Sequence, residues 1–169
     1  GSTAGDRVGF PFVTALANGN YVVSSNNWDG AAPNVGAVTW GNGTTGMVGV
    51  VSASNSLVGS TSGDSADQRV TALTNGNYVV SSQSWTSAAA YMGAVTWGNG
   101  NTGIAGVVSA SNSLVGSTGV DLVGNGGVTA LTNGNYVVRS GFWDGTAADV
   151  GAVTWRSGTS GVAALVSTS

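Results

Sequence analysis

One phrase of eleven residues, VTALxNGNYVV, occurs three times and constrains the fold more than any other feature of the chain. Its copies begin at Val13, Val70 and Val128, at spacings of 57 and 58 residues. The intervening segments recur as well, with GAVTW at 36–40, 93–97 and 151–155. Repeats of this length are typical of solenoids, propellers and other assemblies of one supersecondary unit. The chain is therefore predicted to consist of three such units.

The repeat pattern divides the chain at 1–58, 59–115 and 116–169. The third unit departs from the other two, because Trp155 is followed by Arg156 where the others have glycine. Terminal units of repeat proteins often differ from internal ones. We therefore interpret the third unit as a divergent terminal repeat.

The local sequence predicts an all-β protein. Its 29 glycines are spread along the chain and disfavour helix, whereas Val and Thr favour strands. Asn18-Gly19 and its counterparts at Asn75 and Asn133 are predicted to supply the positive φ of a hairpin turn. Each unit is predicted to form four short antiparallel strands, in the first repeat at 13–16, 21–25, 36–40 and either 47–52 or 56–60.

Four antiparallel strands with a Trp in the third resemble the blade of a β-propeller. The segment AVTWGNGTTG at 37–46 resembles the end of a WD-type blade. Three blades are too few for a ring, since propellers need about four to eight. We therefore expect a homo-oligomer, a dimer or trimer, that closes a ring of propeller blades. The alternative is a self-closed three-fold β-prism.

Several longer phrases point to a particular class of protein. LTNGNYVV, GAVTWGNG, VVSASNSLVGST and GSTSGD are similar to tandem repeats of large bacterial filamentous-haemagglutinin-like surface proteins. This resemblance spans all three units and implies an exported, adhesin-like parent with a structural or interaction role. It also implies a secreted or cell-surface location, with which a surface free of Lys and Cys agrees.

Composition argues against several functions. Four basic and seven acidic residues give a net charge of −3, and the basic residues form no cluster for nucleic acid. No apolar run is long enough for membrane insertion. The chain has no Cys, His or Glu, so serine and cysteine triads and a Glu-based glycosidase pair are excluded. Asp144 and Asp149 are the one carboxylate pair in a loop. We predict no enzymatic activity and no cofactor.

The candidate ligand-binding residues lie in the variable loop before the third strand. Trp28, Trp85 and Trp143 begin this loop, and Asp29 and Asp144 follow two of them. An indole beside small polar residues is a common arrangement for stacking a sugar ring, so the alternative function is a lectin-like module with a glycan as partner. In the competing interpretation each indole covers the hairpin. The other Trp residues are predicted to pack in the core or between blades; they are Trp40, Trp97 and Trp155.

A second set of recurrent residues could in principle form a metal site. Asp6, Asp64 and Asp121 each end a glycine-rich segment, and Asp67 adds a carboxylate in the second unit. Calcium needs six to eight oxygen ligands, and single carboxylates supply few. These aspartates are therefore weak metal candidates, and the favoured interpretation is a turn stabilised by bonds from side chain to backbone. We predict no metal site.

Overall fold

The computed structural model describes residues 1–64 and 68–167 of the chain. Regular structure in this part is entirely β, which confirms the all-β prediction and the three repeats. No helix capable of crossing a membrane occurs in the described residues.

The strands recur in the same order in each repeat. The first repeat contributes four, β1 at Val13–Ala15, β2 at Tyr21–Ser25, β3 at Ala37–Gly41 and β4 at Ser56–Val58. The second contributes five, β5 at Arg69–Ala72, β6 at Tyr78–Ser82, β7 at Ala94–Gly98, β8 at Gly106–Val107 and β9 at Leu114–Val115. The third contributes four, β10 at Val128–Ala130, β11 at Tyr136–Ser140, β12 at Ala152–Arg156 and β13 at Ala164–Leu165.

The first hairpin has its turn where the sequence predicts it, but Asn18 does not have the positive φ that was predicted. Gly19 has a φ of 86°, whereas Asn18 is not among the residues with positive φ. The Asn18 Oδ1 instead accepts the Asn20 amide at 3.2 Å, and Leu16 N donates to the Asn20 carbonyl at 2.8 Å. Glycine alone therefore supplies the left-handed backbone, which corrects the role predicted for Asn18, Asn75 and Asn133.

The strands form three sheets, with the orders β1-β2-β3-β4-β8, β13-β9-β7-β6-β5 and β10-β11-β12. Within a repeat neighbouring strands are antiparallel, but β8 pairs with β4 and β13 pairs with β9 in parallel. Each of these two strands belongs to the following repeat. A repeat thus completes the sheet of the repeat before it, and the prediction of four strands per unit is not confirmed.

Side chains alternate between the two faces of each sheet, and the second sheet packs on both of its faces. We call the face toward the following repeat the forward face and that toward the preceding repeat the back face. Val79 and Val95 of the second sheet pack forward on the third repeat, whereas Tyr78 and Val80 pack back on the first. The hydrophobic core therefore lies mainly between sheets.

In the described part of the chain, strands of different repeats pair only where the repeats are consecutive. The first and third sheets each keep one face without a neighbouring repeat, and Val153 on the third is 75% exposed. In a self-closed three-fold prism every sheet would turn one face outward, whereas the second sheet is packed on both faces, so the described residues do not form that alternative closure. Closure of a propeller ring is not confirmed.

Candidate functional site

The loop tryptophans lie inside the protein. Trp28, Trp85 and Trp143 are 7, 3 and 6% exposed, and each packs in a hydrophobic cluster. Their Nε1 atoms are buried and have no hydrogen-bond partner in the described part of the chain. The ring faces are therefore not available to stack a sugar in this conformation, and each indole is part of the hydrophobic core.

The acidic residues beside these tryptophans fold the loop back on itself. Asp29 Oδ1 accepts the Asn34 amide at 2.7 Å, and Asp144 Oδ1 accepts the Asp149 amide at 2.8 Å. In the second repeat the Thr86 hydroxyl accepts the Tyr91 amide at 3.3 Å instead. A hydroxyl thus takes the place of the carboxylate, which explains why the second repeat tolerates threonine here.

The recurrent aspartates of the glycine-rich segments are buried and hold two loops together. Asp64 Oδ2 accepts the amides of Ser60 at 2.9 Å and Thr61 at 2.8 Å. Its Oδ1 accepts the amide of Thr86, in the tryptophan loop, at 3.0 Å. Asp6 and Asp121 make the equivalent bonds in their own repeats. These are hydrogen bonds from backbone amides to a side chain, as predicted for aspartates that stabilise a turn.

Backbone amides also set the ionisation of two of these groups. The Thr3 amide is the largest influence on Asp6 and lowers its pKa below the ordinary value, although burial opposes it. Burial alone would raise the pKa of Asp121, but the amides of Thr118 and Asp144 hold it below the ordinary value. Both side chains therefore act as buried anions neutralised by N–H dipoles.

No group of three or more potential metal-ligating side chains occurs within residues 1–64 and 68–167. Asp67, the further candidate ligand of the second repeat, lies outside the described residues. Asp6, Asp64 and Asp121 use their oxygens on backbone amides, so the structure offers no observation that favours a metal at these positions.

The most elaborate polar arrangement lies between repeats, at the carbonyl oxygen of Gly100. Three side-chain N–H groups of the first repeat donate to this one oxygen, from Asn18 Nδ2 at 2.8 Å, Asn20 Nδ2 at 2.8 Å and Trp40 Nε1 at 2.9 Å. A carbonyl has two lone pairs, so three donors saturate it. We call this arrangement the junction.

The second junction repeats the first in every member. The Gly158 carbonyl of the third repeat accepts Asn75 Nδ2 and Asn77 Nδ2 at 2.8 Å and Trp97 Nε1 at 3.0 Å. Glycine is required at the acceptor, because a Cβ on Gly158 would lie 1.7 Å from the Gly134 carbonyl oxygen. Two boundaries with one geometry show that the repeated phrase encodes attachment of each repeat to the next.

The tryptophan of the junction also packs on a glycine of the following repeat. A Cβ on Gly103 would lie 2.7 Å from the Trp40 Cβ, and one on Gly161 would lie 3.1 Å from the Trp97 Cε3. These contacts place Trp40 and Trp97 between repeats, which is one of the two roles predicted for them. Trp155 has no following repeat against it in this chain and is 56% exposed.

Sequence reasoning misses the junction, because it interprets the turn asparagines only as local turn residues. A signal is nevertheless present, since NGN and the strand tryptophan recur together in all three copies. A turn needs only its glycine and one oxygen acceptor. Recurrence of a second asparagine, at Asn20, Asn77 and Asn135, indicates a further contact.

Comparison with known proteins identifies the repeat but assigns it no activity. The family model described as "Repeat of unknown function (DUF5650)" matches residues 15–68, 72–125 and 130–169. No curated protein and no solved structure matches the chain.

Proposed function

The chain belongs to the DUF5650 family of repeats of unknown function, and we propose that it is a non-enzymatic structural module in which each repeat docks on the one before it. The observation that carries this proposal is the junction, made twice with the same three donors and one acceptor. Residues that recur in every copy are used for joining repeats, for covering the core and for tying loops.

The buried aspartates stabilise each repeat internally. Asp64 and Asp121 each bond to the glycine-rich segment at the start of a repeat and to the tryptophan loop of the same repeat. The donated strands β8 and β13 add backbone pairing between repeats. Two independent kinds of contact, the junction and the donated strand, therefore act at each boundary, which suits a module whose task is to hold a fixed spacing.

We further propose that this module serves an adhesin-like protein that is secreted or displayed on a bacterial surface. The support is the resemblance of its phrases to repeats of filamentous-haemagglutinin-like proteins, together with a surface that lacks Lys. In such a protein the stacked repeats would extend or present other regions.

The location can be tested on intact cells of a bacterium that produces the protein. An antibody against the chain is expected to label intact cells or the culture medium, and external proteinase K is expected to remove the cell-bound signal. Labelling only after lysis would contradict the proposed location. It would not bear on the stacking role, which the internal cross-link and the junction variants test.

Glycan binding is the alternative function, and an experiment can separate it from a structural role. A glycan array probed with the labelled chain is expected to give no signal, because the predicted stacking rings are buried. Reproducible binding that is lost in the Asp144→Asn variant, with folding unchanged, would instead favour the lectin-like alternative.

A further inference from the structure

Consecutive repeats pack through one kind of interface. The first repeat leaves one half of this interface uncovered, and the third repeat leaves the other half uncovered. On the forward face of the third repeat, Val153 is 75% exposed and Trp155 is 56% exposed. Their counterparts in the second repeat, Val95 and Trp97, pack against the third repeat. In Val153 and Trp155 the third repeat therefore presents two of the side chains that the second repeat packs against its neighbour, but with nothing against them in this structure.

The back face of the first repeat shows the complementary difference. Val13 is 62% exposed and Tyr21 is only half-buried. The counterparts Val70 and Tyr78 pack against the first repeat in the internal cluster, where Tyr78 is fully buried. Exposed apolar surface of this kind marks an interaction site when it is contiguous.

The polar members of the junction are likewise divided between the two ends. In the described part of the chain, Asn133, Asn135 and Trp155 form the donor set of the third repeat without the acceptor that their counterparts have. The acceptor equivalent to Gly100 is the carbonyl of Gly43, an exposed residue of the first repeat. A Cβ on Gly46 would have no atom within 4 Å, so the place that a junction tryptophan takes on Gly103 is open there.

One residue on the forward face differs between the third repeat and the first two. Arg139 stands where the first two repeats have Ser24 and Ser81, and it lies opposite Val153 in the strand register. Its guanidinium donates to the carbonyl of Gly126, in the same repeat. The positive charge is thus held on its own repeat, and two of the junction donors, Asn133 and Trp155, remain exposed.

We propose that the forward face of the third repeat binds the back face of the first repeat of a second copy of this chain, head to tail. The occupant is a second copy because the required surface is the one that this chain already presents to its own repeats. The two surfaces of one chain lie on opposite sides of the second repeat. This inference rests on the proposed stacking role and adds its partner. Such contacts are heterologous and extend into longer assemblies.

The test is the solution mass by sedimentation velocity from about 1 μM to about 1 mM, the range that resolves weak association. The mass of the unaltered chain is expected to rise with concentration. Val153→Arg blocks the forward face and Val13→Arg blocks the back face, and both positions are exposed, so folding is expected to be retained. Each variant alone is expected to associate at least about tenfold more weakly.

A mixture of the two variants distinguishes this contact from a symmetric one. Each variant keeps one intact surface, so the mixture is expected to form a dimer and no larger species. A chain that stays monomeric over the whole range overturns the inference. Association that persists in both single variants, or a mixture that fails to pair, also overturns it.

Disulfide trapping tests the register of the contact. Asn18 Nδ2 lies 3.2 Å from Asn101 Oδ1 across the first junction, and the equivalent positions at the two ends are Asn133 and Thr44. The chain has no cysteine, so introduced pairs are unambiguous. Asn133→Cys with Thr44→Cys is expected to give covalent oligomers, and Asn18→Cys with Asn101→Cys is the internal control that gives a cross-linked monomer.

The internal control separates failure of this inference from failure of the proposed function. A cross-linked monomer in the control with no oligomer from the end pair would overturn the head-to-tail contact and leave the internal junction standing. Absence of the internal cross-link, together with unchanged stability of junction variants, would contradict the stacking role itself.

Discussion

Gly46 and Gly103 occupy the same position in consecutive repeats and share a left-handed backbone, with φ of 73° and 75°. Only Gly103 lies beneath a junction tryptophan, Trp40. We expect Gly46→Ala to lower the free energy of unfolding by about 1 kcal/mol, the cost of a Cβ in this backbone region. Gly103→Ala is expected to lose a further ~1–3 kcal/mol by overpacking.

Urea unfolding of the two variants measures this difference. Because the local conformations match, the excess loss in Gly103→Ala reports the contact between repeats. Equal losses in both variants would show that Trp40 does not pack on this glycine in solution.

Asn77 and Asn135 form a second matched pair. Both Oδ1 atoms accept a glycine amide of their own repeat, at 2.9 Å and 3.1 Å, but only Asn77 also donates to the next repeat. Asn77→Asp removes that donor and places a carboxylate against the Gly158 carbonyl, so we expect a loss of about 1–3 kcal/mol at neutral pH. Asn135→Asp is expected to lose much less in the same chemical denaturation.

The pH dependence of Asn77→Asp gives an internal check. A carboxylate facing a carbonyl is favoured in its protonated form, so its folded pKa is raised above the unfolded value of about 3.9. The excess destabilisation is therefore expected to shrink as the pH falls toward that value. A loss that is independent of pH would point to a steric cause.

Asp121 contributes to the acid stability expected of this protein. Its pKa is lowered in the folded state, as is that of Asp6, so the stability they contribute is present above the unfolded pKa of about 3.9 and is lost as the pH falls through the folded pKa. Asp121→Asn is expected to lose about 1–3 kcal/mol at neutral pH and to flatten the acid branch of the stability curve.

The control for this variant is Asp149→Asn, since Asp149 is exposed and asparagine tolerates its positive φ of 53°. Thermal unfolding from about pH 7 to about pH 2 follows both variants across the unfolded pKa. An acid branch in Asp121→Asn as steep as that of the unaltered chain would assign the acid sensitivity to other groups.

At the scale of elements, the donated strands are the least expected feature. β8 and β13 have only two residues each, and their pairing partners belong to the preceding repeat. No local pattern encodes this choice, because a strand carries its own alternation but not the identity of its neighbour. The central strands are predicted closely, with β2 observed at Tyr21–Ser25 as expected and β4 within the second of two alternatives, 56–60.

Hydrogen exchange tests the donated strands directly. The Val108 amide donates to the Val58 carbonyl and the Val166 amide to the Val115 carbonyl, both at 3.0 Å. Val51 occupies the equivalent position in the first repeat, where no preceding sheet lies beside it. We expect the Val108 and Val166 amides to exchange at least about tenfold more slowly than the Val51 amide. Similar rates at all three positions would mean that the pairing between repeats does not persist.

At the scale of the whole molecule, the open ends make one tryptophan distinct from the other five. Trp155 is 56% exposed, whereas Trp143 in the same repeat is 6% exposed. Quenching of fluorescence by acrylamide in dilute solution is expected to fall markedly in Trp155→Phe and to change little in Trp143→Phe. A large decrease in quenching in Trp143→Phe would place the loop indole at the surface and would favour the sugar-stacking interpretation.

The recurrent phrases by themselves determined that this chain is all-β and has three repeats, because Val, Thr and Gly at fixed spacing favour short strands and tight turns whatever surrounds them. They also indicated that Trp40 and Trp97 pack in the core or between units, and the structure decided that both pack between units. Only the tertiary structure decided that β8 and β13 leave their own repeats and that Asn18 and Asn20 reach the Gly100 carbonyl. Only it buried Trp28, Trp85 and Trp143. These outcomes depend on contacts between segments that lie about 57 residues apart in the chain. Strand propensity and the alternation of side chains are properties of one segment, so they do not specify which other segment it contacts.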